Sequence, residues 1–165
     1  MNPSLKVSRV GLAFALFLFI FPFVRLSCQG QAIVSLTGVQ LITGTSIEEP
    51  GSGSPKREAD GEFLALLAFV CGLVAAVYTF VRIPKATVVT MVASGGAALC
   101  LLLLKLRIDS LVFRQGEGVI QTSYGIAFWL AFLIFSGGCA FHGYQLRQSM
   151  AAPTSSVRTE PAAPA

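Results

Sequence analysis

The sequence predicts an all-α membrane protein with four transmembrane helices and a small extracytoplasmic cap that leaves room for short β-strands. Three observations carry that prediction. Four apolar runs contain no Asp, Glu, Lys or Arg: Val10–Val24, Phe63–Val81, Ala86–Leu104 and Tyr124–Phe141. Charge or histidine borders each of them: Lys6 and Arg9 precede the first, Glu62 and Arg82 bracket the second, Lys85 and Lys105 bracket the third, and His142 follows the fourth. The chain is 54% hydrophobic and 12% charged, against roughly 45–50% and about 25% in soluble proteins. Its mean hydropathy is +0.72. The apolar residues are gathered into runs instead of amphipathic patterns, as in integral membrane proteins.

The first helix is expected over about 10–26. Its apolar run is 15 residues long, with Pro22 kinking the last turns. A charge at a helix centre costs about 2.5–3.5 kcal/mol, so Arg25 is expected to mark the interface, its head turned to water. The second and third helices are expected over 63–81 and 86–104. Runs of this length span about 28 Å at ~1.5 Å per residue, close to the ~30 Å hydrocarbon core. Only "RIPK" separates them, so they are expected to be antiparallel neighbours. After the third run, Leu104, Ile108 and Leu111 fall on one helical face and no breaker intervenes. That favours a helical extension to about 115, with Val119–Thr122 a strand beside the first loop. The fourth helix is expected over 124–142. The tail, 147–165, is rich in Ala, Pro, Ser and Thr and reads as disordered and cytoplasmic.

The two loops on the far side, 27–62 and 105–123, make the cap. Within the first, "GTSIEEPGSGSPKREADGE" reads as a flexible linker. "QAIVSLTGVQLITG" is richer in β-branched residues, and its two Thr-Gly pairs around Val39–Leu41 read as turns of a short hairpin. Lys and Arg divide six against six between the two sides. Lys6 and Arg9 before the first helix break the tie, placing both termini in the cytoplasm. A cleaved signal peptide is the competing reading of the first run, but Arg25 stands between the apolar core and the small pair Gly30 and Ala32.

Cys28 follows the first run. Arg25 at minus three is wrong for a lipid-acceptor cysteine. The other cysteines, Cys71, Cys100 and Cys139, lie inside expected helices, which disfavours a disulfide. Neither Cys-x-x-Cys nor histidine ligand spacing is present, so no metal or cofactor is expected. The net charge of +4 comes from basic residues scattered beside apolar runs, which gives no reason to expect a nucleic-acid partner. The acidic residues lie mostly in the linker, with no nucleophile and base set among them, so no enzyme is expected.

Small residues carry more information. Gly72 and Ala76 on the second helix, Ser94, Gly95 and Gly96 on the third, and Gly137 and Gly138 on the fourth allow close backbone approach. Such faces are how membrane helices associate, inside one bundle or with a partner's helix. The first loop carries a second candidate set: Cys28, Gly30, Leu36, Thr37, Gly38, Leu41 and Gly44.

Two stretches carry a resemblance. One is P-F-x-x-x-S-C-x-G-Q followed by L-T-G-x-x-L-x-x-G: Pro22, Phe23, Ser27, Cys28, Gly30, Gln31, Leu36, Thr37, Gly38, Leu41 and Gly44. The other is Tyr124, Gly125, Phe128, Trp129, Leu130 and Ala131 at the start of the fourth helix. In these the chain resembles a group of small bacterial inner-membrane proteins. The resemblance implies a bacterial inner membrane and an extracytoplasmic first loop, and it implies no chemistry. The function expected is that of a non-enzymatic accessory or structural protein acting through helix or cap contacts. Its partners would be the lipid bilayer and either a membrane protein or a second copy. The alternative is an oligomeric bundle conducting ions or small solutes, lined by Thr87, Thr90 and Ser94.

Overall fold

The computed structural model describes residues 3–28, 31–47, 57–59, 61–81, 86–115 and 120–151. The order is α1 (Pro3–Phe17), a 3-10 turn (Leu18–Ile20), β1 (Pro22–Cys28), β2 (Gln31–Thr37), α2 (Gly38–Thr43), β3 (Thr45–Ile47), β4 (Arg57–Ala59), α3 (Phe63–Phe80), α4 (Ala86–Gln115), β5 (Ile120–Tyr124) and α5 (Ile126–Ala151). Among the described residues three helices are long and apolar enough to cross a membrane, with spans Phe63–Phe80, Ala86–Phe113 and Ile126–Gln148. The apolar part of α1, Ser8–Ile20, is shorter.

α1, α3, α4 and α5 form a ring in which α1 packs on α3 and α5, and α4 packs on α3 and α5. Ring neighbours run antiparallel. Opposite contacts show this: Gly95 faces Cys139 while Gly143 faces Met91, and Gly72 faces Leu16 while Arg9 reaches Thr79. The packing of α3 is inside-out compared with a helix of a protein in water. On α3 the buried residues are Ala65, Ala68, Gly72, Ala75, Ala76 and Thr79, whereas Leu66, Val70, Leu73 and Val77 are exposed. On this helix small residues face inward and large aliphatic ones outward, while Leu12, Leu101, Leu104, Phe128 and Phe135 fill the space between the helices. This is the pattern of helices that associate by close backbone approach where no hydrophobic drive acts between them. In water so broad an apolar surface would be an aggregation hazard.

The first run departs from the expected helix over 10–26. α1 ends at Phe17, a 3-10 turn follows, and β1 begins at Pro22. Pro22 explains the break. A proline pushes the residue before it out of the helical region, and Phe21 is extended at φ −86°, ψ 161°. Proline also has no N–H to continue a helix. Arg25 therefore sits in a strand and not at a helix end.

β1 is the central strand of a three-stranded antiparallel sheet in the order β2-β1-β5. β5 occupies Ile120–Tyr124, close to the expected 119–122, and it pairs with β1 from Val24↔Tyr124 to Cys28↔Ile120. A second sheet pairs β3 with β4. α4 continues unbroken to Gln115. At 30 residues it is about 45 Å long, some 15 Å more than the hydrocarbon core. The excess forms a leg beneath the sheet.

The expected hairpin around Val39–Leu41 is instead α2. Thr37 is its N-cap, accepting from Gln40 N, while the Gln40 side chain accepts from Thr37 N, a complete capping box. Gly44 ends the helix at φ 78°, ψ 164°, a region that in practice only glycine occupies. The fourth helix also differs from its expected bounds of 124–142. Tyr124 belongs to β5, and α5 runs on to Ala151. The stretch 147–151, expected to be disordered, is thus helical, since no proline interrupts it before Pro153. The rest of the tail, 152–165, lies outside the described residues, as does Gly30.

Candidate functional site

The sheet has two distinct faces. Pairing brings Ser35, Arg25 and Ser123 into one row across β2, β1 and β5, and all three are exposed. The flanking rows, Leu36–Val24–Tyr124 and Val34–Leu26–Thr122, are buried or half-buried. This alternation is expected of an antiparallel sheet with one face on a core. Beneath it, a cleft of about 200 Å³ lies between Val24, Leu26 and Leu36 of the sheet, Leu41 of α2, and Ile108 and Leu111 of α4. On the outside, Arg25 borders a second hollow of about 350 Å³ with Phe21, Pro22, Ser123, Tyr124 and Ile126.

Polar contacts fix this sheet end to the helices. Tyr124 Oη donates to Asp109 Oδ1 at 2.6 Å and lies 3.1 Å from the Lys105 carbonyl. Lys105 Nζ pairs with Asp109 Oδ2 at 2.6 Å and sits 5.0 Å from the Tyr124 ring centroid. Burial first, then the hydrogen bond and charge of Asp109, push the Tyr124 phenol above its ordinary range. It therefore stays protonated, and a donor, at neutral pH. Arg107 reaches Glu62 at 3.4 Å, while Glu62 N donates to Leu41 O at 2.7 Å. α2, the start of α3 and the leg of α4 are joined through Glu62.

At the opposite end of the bundle, Ser8 Oγ lies 3.0 Å from His142 Nε2. Arg9 Nε donates to the Thr79 carbonyl at 3.0 Å, with the guanidinium carbon 5.5 Å from the Phe80 ring centroid. That carbonyl belongs to the last turn of α3, where a cation is favourable.

The small helix residues are mostly consumed inside the ring. Gly72 lies under Phe135 and Leu16, Gly95 against Cys139, Gly96 near Cys71, and Gly138 beside Leu12 and Ser94. Ala76 and Ser94 are buried. Gly137 differs: a Cβ there would meet nothing within 4 Å. Thr90 and Ser94 are buried, and Ser94 Oγ donates to the Thr90 carbonyl at 2.7 Å. Thr79 likewise donates to Ala75 O at 2.7 Å. These hydroxyls are spent on their own helices.

The loop residues come together around the sheet. Cys28 ends β1 opposite Gln31 and Ile120. Leu36 pairs with Val24 in β2, Thr37 caps α2, Leu41 is buried beneath the sheet, and Gly44 closes α2. Gly38 is buried so closely on the 3-10 turn that a Cβ would lie 2.8 Å from the Phe19 carbonyl oxygen.

The i,i+4 spacing of Lys105 and Asp109 is a signal of their pairing visible in the sequence. The Thr-x-x-Gln capping box was another. Nothing in the sequence marked Ser8 and His142 as partners, because 134 positions separate them. No protein-family model matches the chain, and no curated protein matches it.

Proposed function

We propose that the chain is a non-enzymatic, multi-pass protein of a bacterial inner membrane, acting as an accessory or structural partner through the outward face of its cap. In this reading α1 crosses the bilayer together with α3, α4 and α5. α1 and the turn after it accompany α5 through the same thickness: Ser8 meets His142 at one end, and Phe23 at the start of β1 meets Phe128 edge-on with centroids 5.8 Å apart at the other. Leu12 and Ala15 are almost fully buried against the other helices, which favours a retained first helix over a cleaved one. Both termini are then cytoplasmic, and the sheet with α2 and the leg of α4 is the extracytoplasmic cap.

The observation that carries an interaction role is the exposed Ser35–Arg25–Ser123 row on a sheet braced from below. A rigid, polar, outward platform suits recognition of another protein. Thr90 and Ser94 are buried and the Ser94 hydroxyl is bonded to its own helix, which lends less support to a conducting bundle. A photo-crosslinking side chain at Ser35 tests the proposal in cells. A discrete protein adduct, absent when the probe is at outward-facing Val92 of α4, is the expected result. Lipid adducts alone at both positions, with a lone monomer in mild detergent, refute it.

A further inference from the structure

Beside α1 runs an open groove of about 600 Å³ lined by Arg9, Val10, Ala13, Phe14, Phe17 and Phe80. Apart from Arg9 these lining residues are apolar. Val10, Phe14, Phe17 and Phe80 are each at least 47% exposed, Phe14 being the least. From Arg9 to Phe17 the groove follows about 12 Å of helix, most of one leaflet's half of the ~30 Å core.

The head of the groove is the unusual part. A guanidinium carries five N–H donors. Among the described residues Arg9 spends only the Nε donor, on the Thr79 carbonyl, while its plane is held near Phe80. The side chain is thereby pinned at the last turn of α3, where the apolar span ends, and its two terminal nitrogens have no protein acceptor among the described residues. Paired guanidinium N–H groups match the oxygens of a phosphate. Immobilised beforehand, such a head costs less ordering entropy on binding.

We propose that this groove is a binding site for one anionic glycerophospholipid of the surrounding bilayer. Its phosphate would sit on the terminal nitrogens of Arg9, and one acyl chain would lie along Ala13, Phe14, Phe17 and Phe80. The proposal rests on the membrane-spanning reading. Charge complementarity selects this occupant: its phosphate brings a negative charge to the free guanidinium edge, which a second helix would do only by carrying a carboxylate into the groove.

The test uses the full chain in mild detergent, titrated with dioleoylphosphatidylglycerol, dioleoylphosphatidylcholine and inorganic phosphate, and read by native mass spectrometry. One phosphatidylglycerol should be retained about tenfold more tightly than phosphatidylcholine with the same chains, a preference of ordinary size for a single ionic contact. Arg9→Gln should abolish the preference. Since Arg9 also caps α3, Ala13→Phe serves as a second variant. It fills the groove with Arg9 intact, and it should lower affinity for both lipids. Equal retention of the two lipids by the native chain, or variants indistinguishable from it, overturns the proposal. Displacement of the lipid by millimolar phosphate overturns it too, since the site would then recognise no acyl chain. Carbonate extraction of membranes separates the two readings: a chain that is extracted fails both, and one that stays but shows no preference fails only this one.

Discussion

Tyr124 and Asp109 meet at 2.6 Å, joining the last residue of β5 to the leg of α4. The contact links the sheet to the helices through a neutral donor and a charged acceptor, the stronger kind of hydrogen bond. Tyr124→Phe keeps the ring beside Phe128 and removes only the donor. The expected loss is about 1–2 kcal/mol, scaled down from a buried charged bond because both groups are part-exposed. Thermal unfolding in detergent measures it. The phenol pKa is raised in the folded state by burial and by Asp109. Its contribution is therefore fully present below the unfolded value of about 10, and it is lost only as pH rises through the higher folded value. The gap between the native chain and the Phe variant should stay flat from pH 6 to 9 and close only in stronger alkali. A gap that closes near pH 7 contradicts the assignment.

Gly72 and Gly137 should respond oppositely to alanine. A Cβ on Gly72 would lie 2.7 Å from Phe135 Cζ, whereas at Gly137 nothing lies within 4 Å. Gly72→Ala is expected to cost about 1–3 kcal/mol through overpacking. Gly137→Ala should stay within about 0.5 kcal/mol of the native chain. Melting curves of the two variants in one detergent decide the matter.

α2 is stabilised by local devices that can be removed one at a time. Thr37→Ala deletes the cap and should cost about 1 kcal/mol. Gly44→Ala forces a side chain into backbone space that only glycine tolerates and should cost about 1–3 kcal/mol. Hydrogen exchange should show faster opening at Leu41 in both variants, with α5 unaffected. Uniform loosening of the whole chain would mean that α2 is not an independent local unit.

Topology is tested by reporter fusions. A reporter joined after Gly53 should report the extracytoplasmic side and one after Val157 the cytoplasm. The reverse pattern refutes the proposed orientation. The intact mass of the purified chain should retain the first helix. A mass that begins at a lipid-modified Cys28 would exclude the Ser8–His142 and Arg9–Thr79 contacts altogether.

The long spans were legible because hydropathy and length are properties of a contiguous stretch. α3 keeps almost its expected bounds, and the extension of α4 follows from Leu104, Ile108 and Leu111 sharing one helical face. The capping box at Thr37 was legible too, but Thr-Gly read as a turn outweighed Thr-x-x-Gln read as a cap. Leu36, Thr37, Gly38, Leu41 and Gly44 each have a structural role. These roles are a strand pair, a helix N-cap, a close approach, a buried contact and a positive φ.

By itself, then, the sequence determined which stretches are apolar enough for lipid and where small residues allow helices to touch. The fate of the first run was decided only in three dimensions. From Val10 to Val24 nothing but Pro22 distinguishes helix from strand. A proline alone permits either a kink or a stop. The chain becomes a strand because β2 and β5 supply backbone partners on both sides of β1, and β5 lies nearly a hundred residues away, with Arg25 opposite Ser123. Pairing of that range satisfies the N–H and C=O groups a broken helix would leave bare. The same distance separates Arg25 from Ser123 in the exposed row, so that face of the sheet belongs to the tertiary structure.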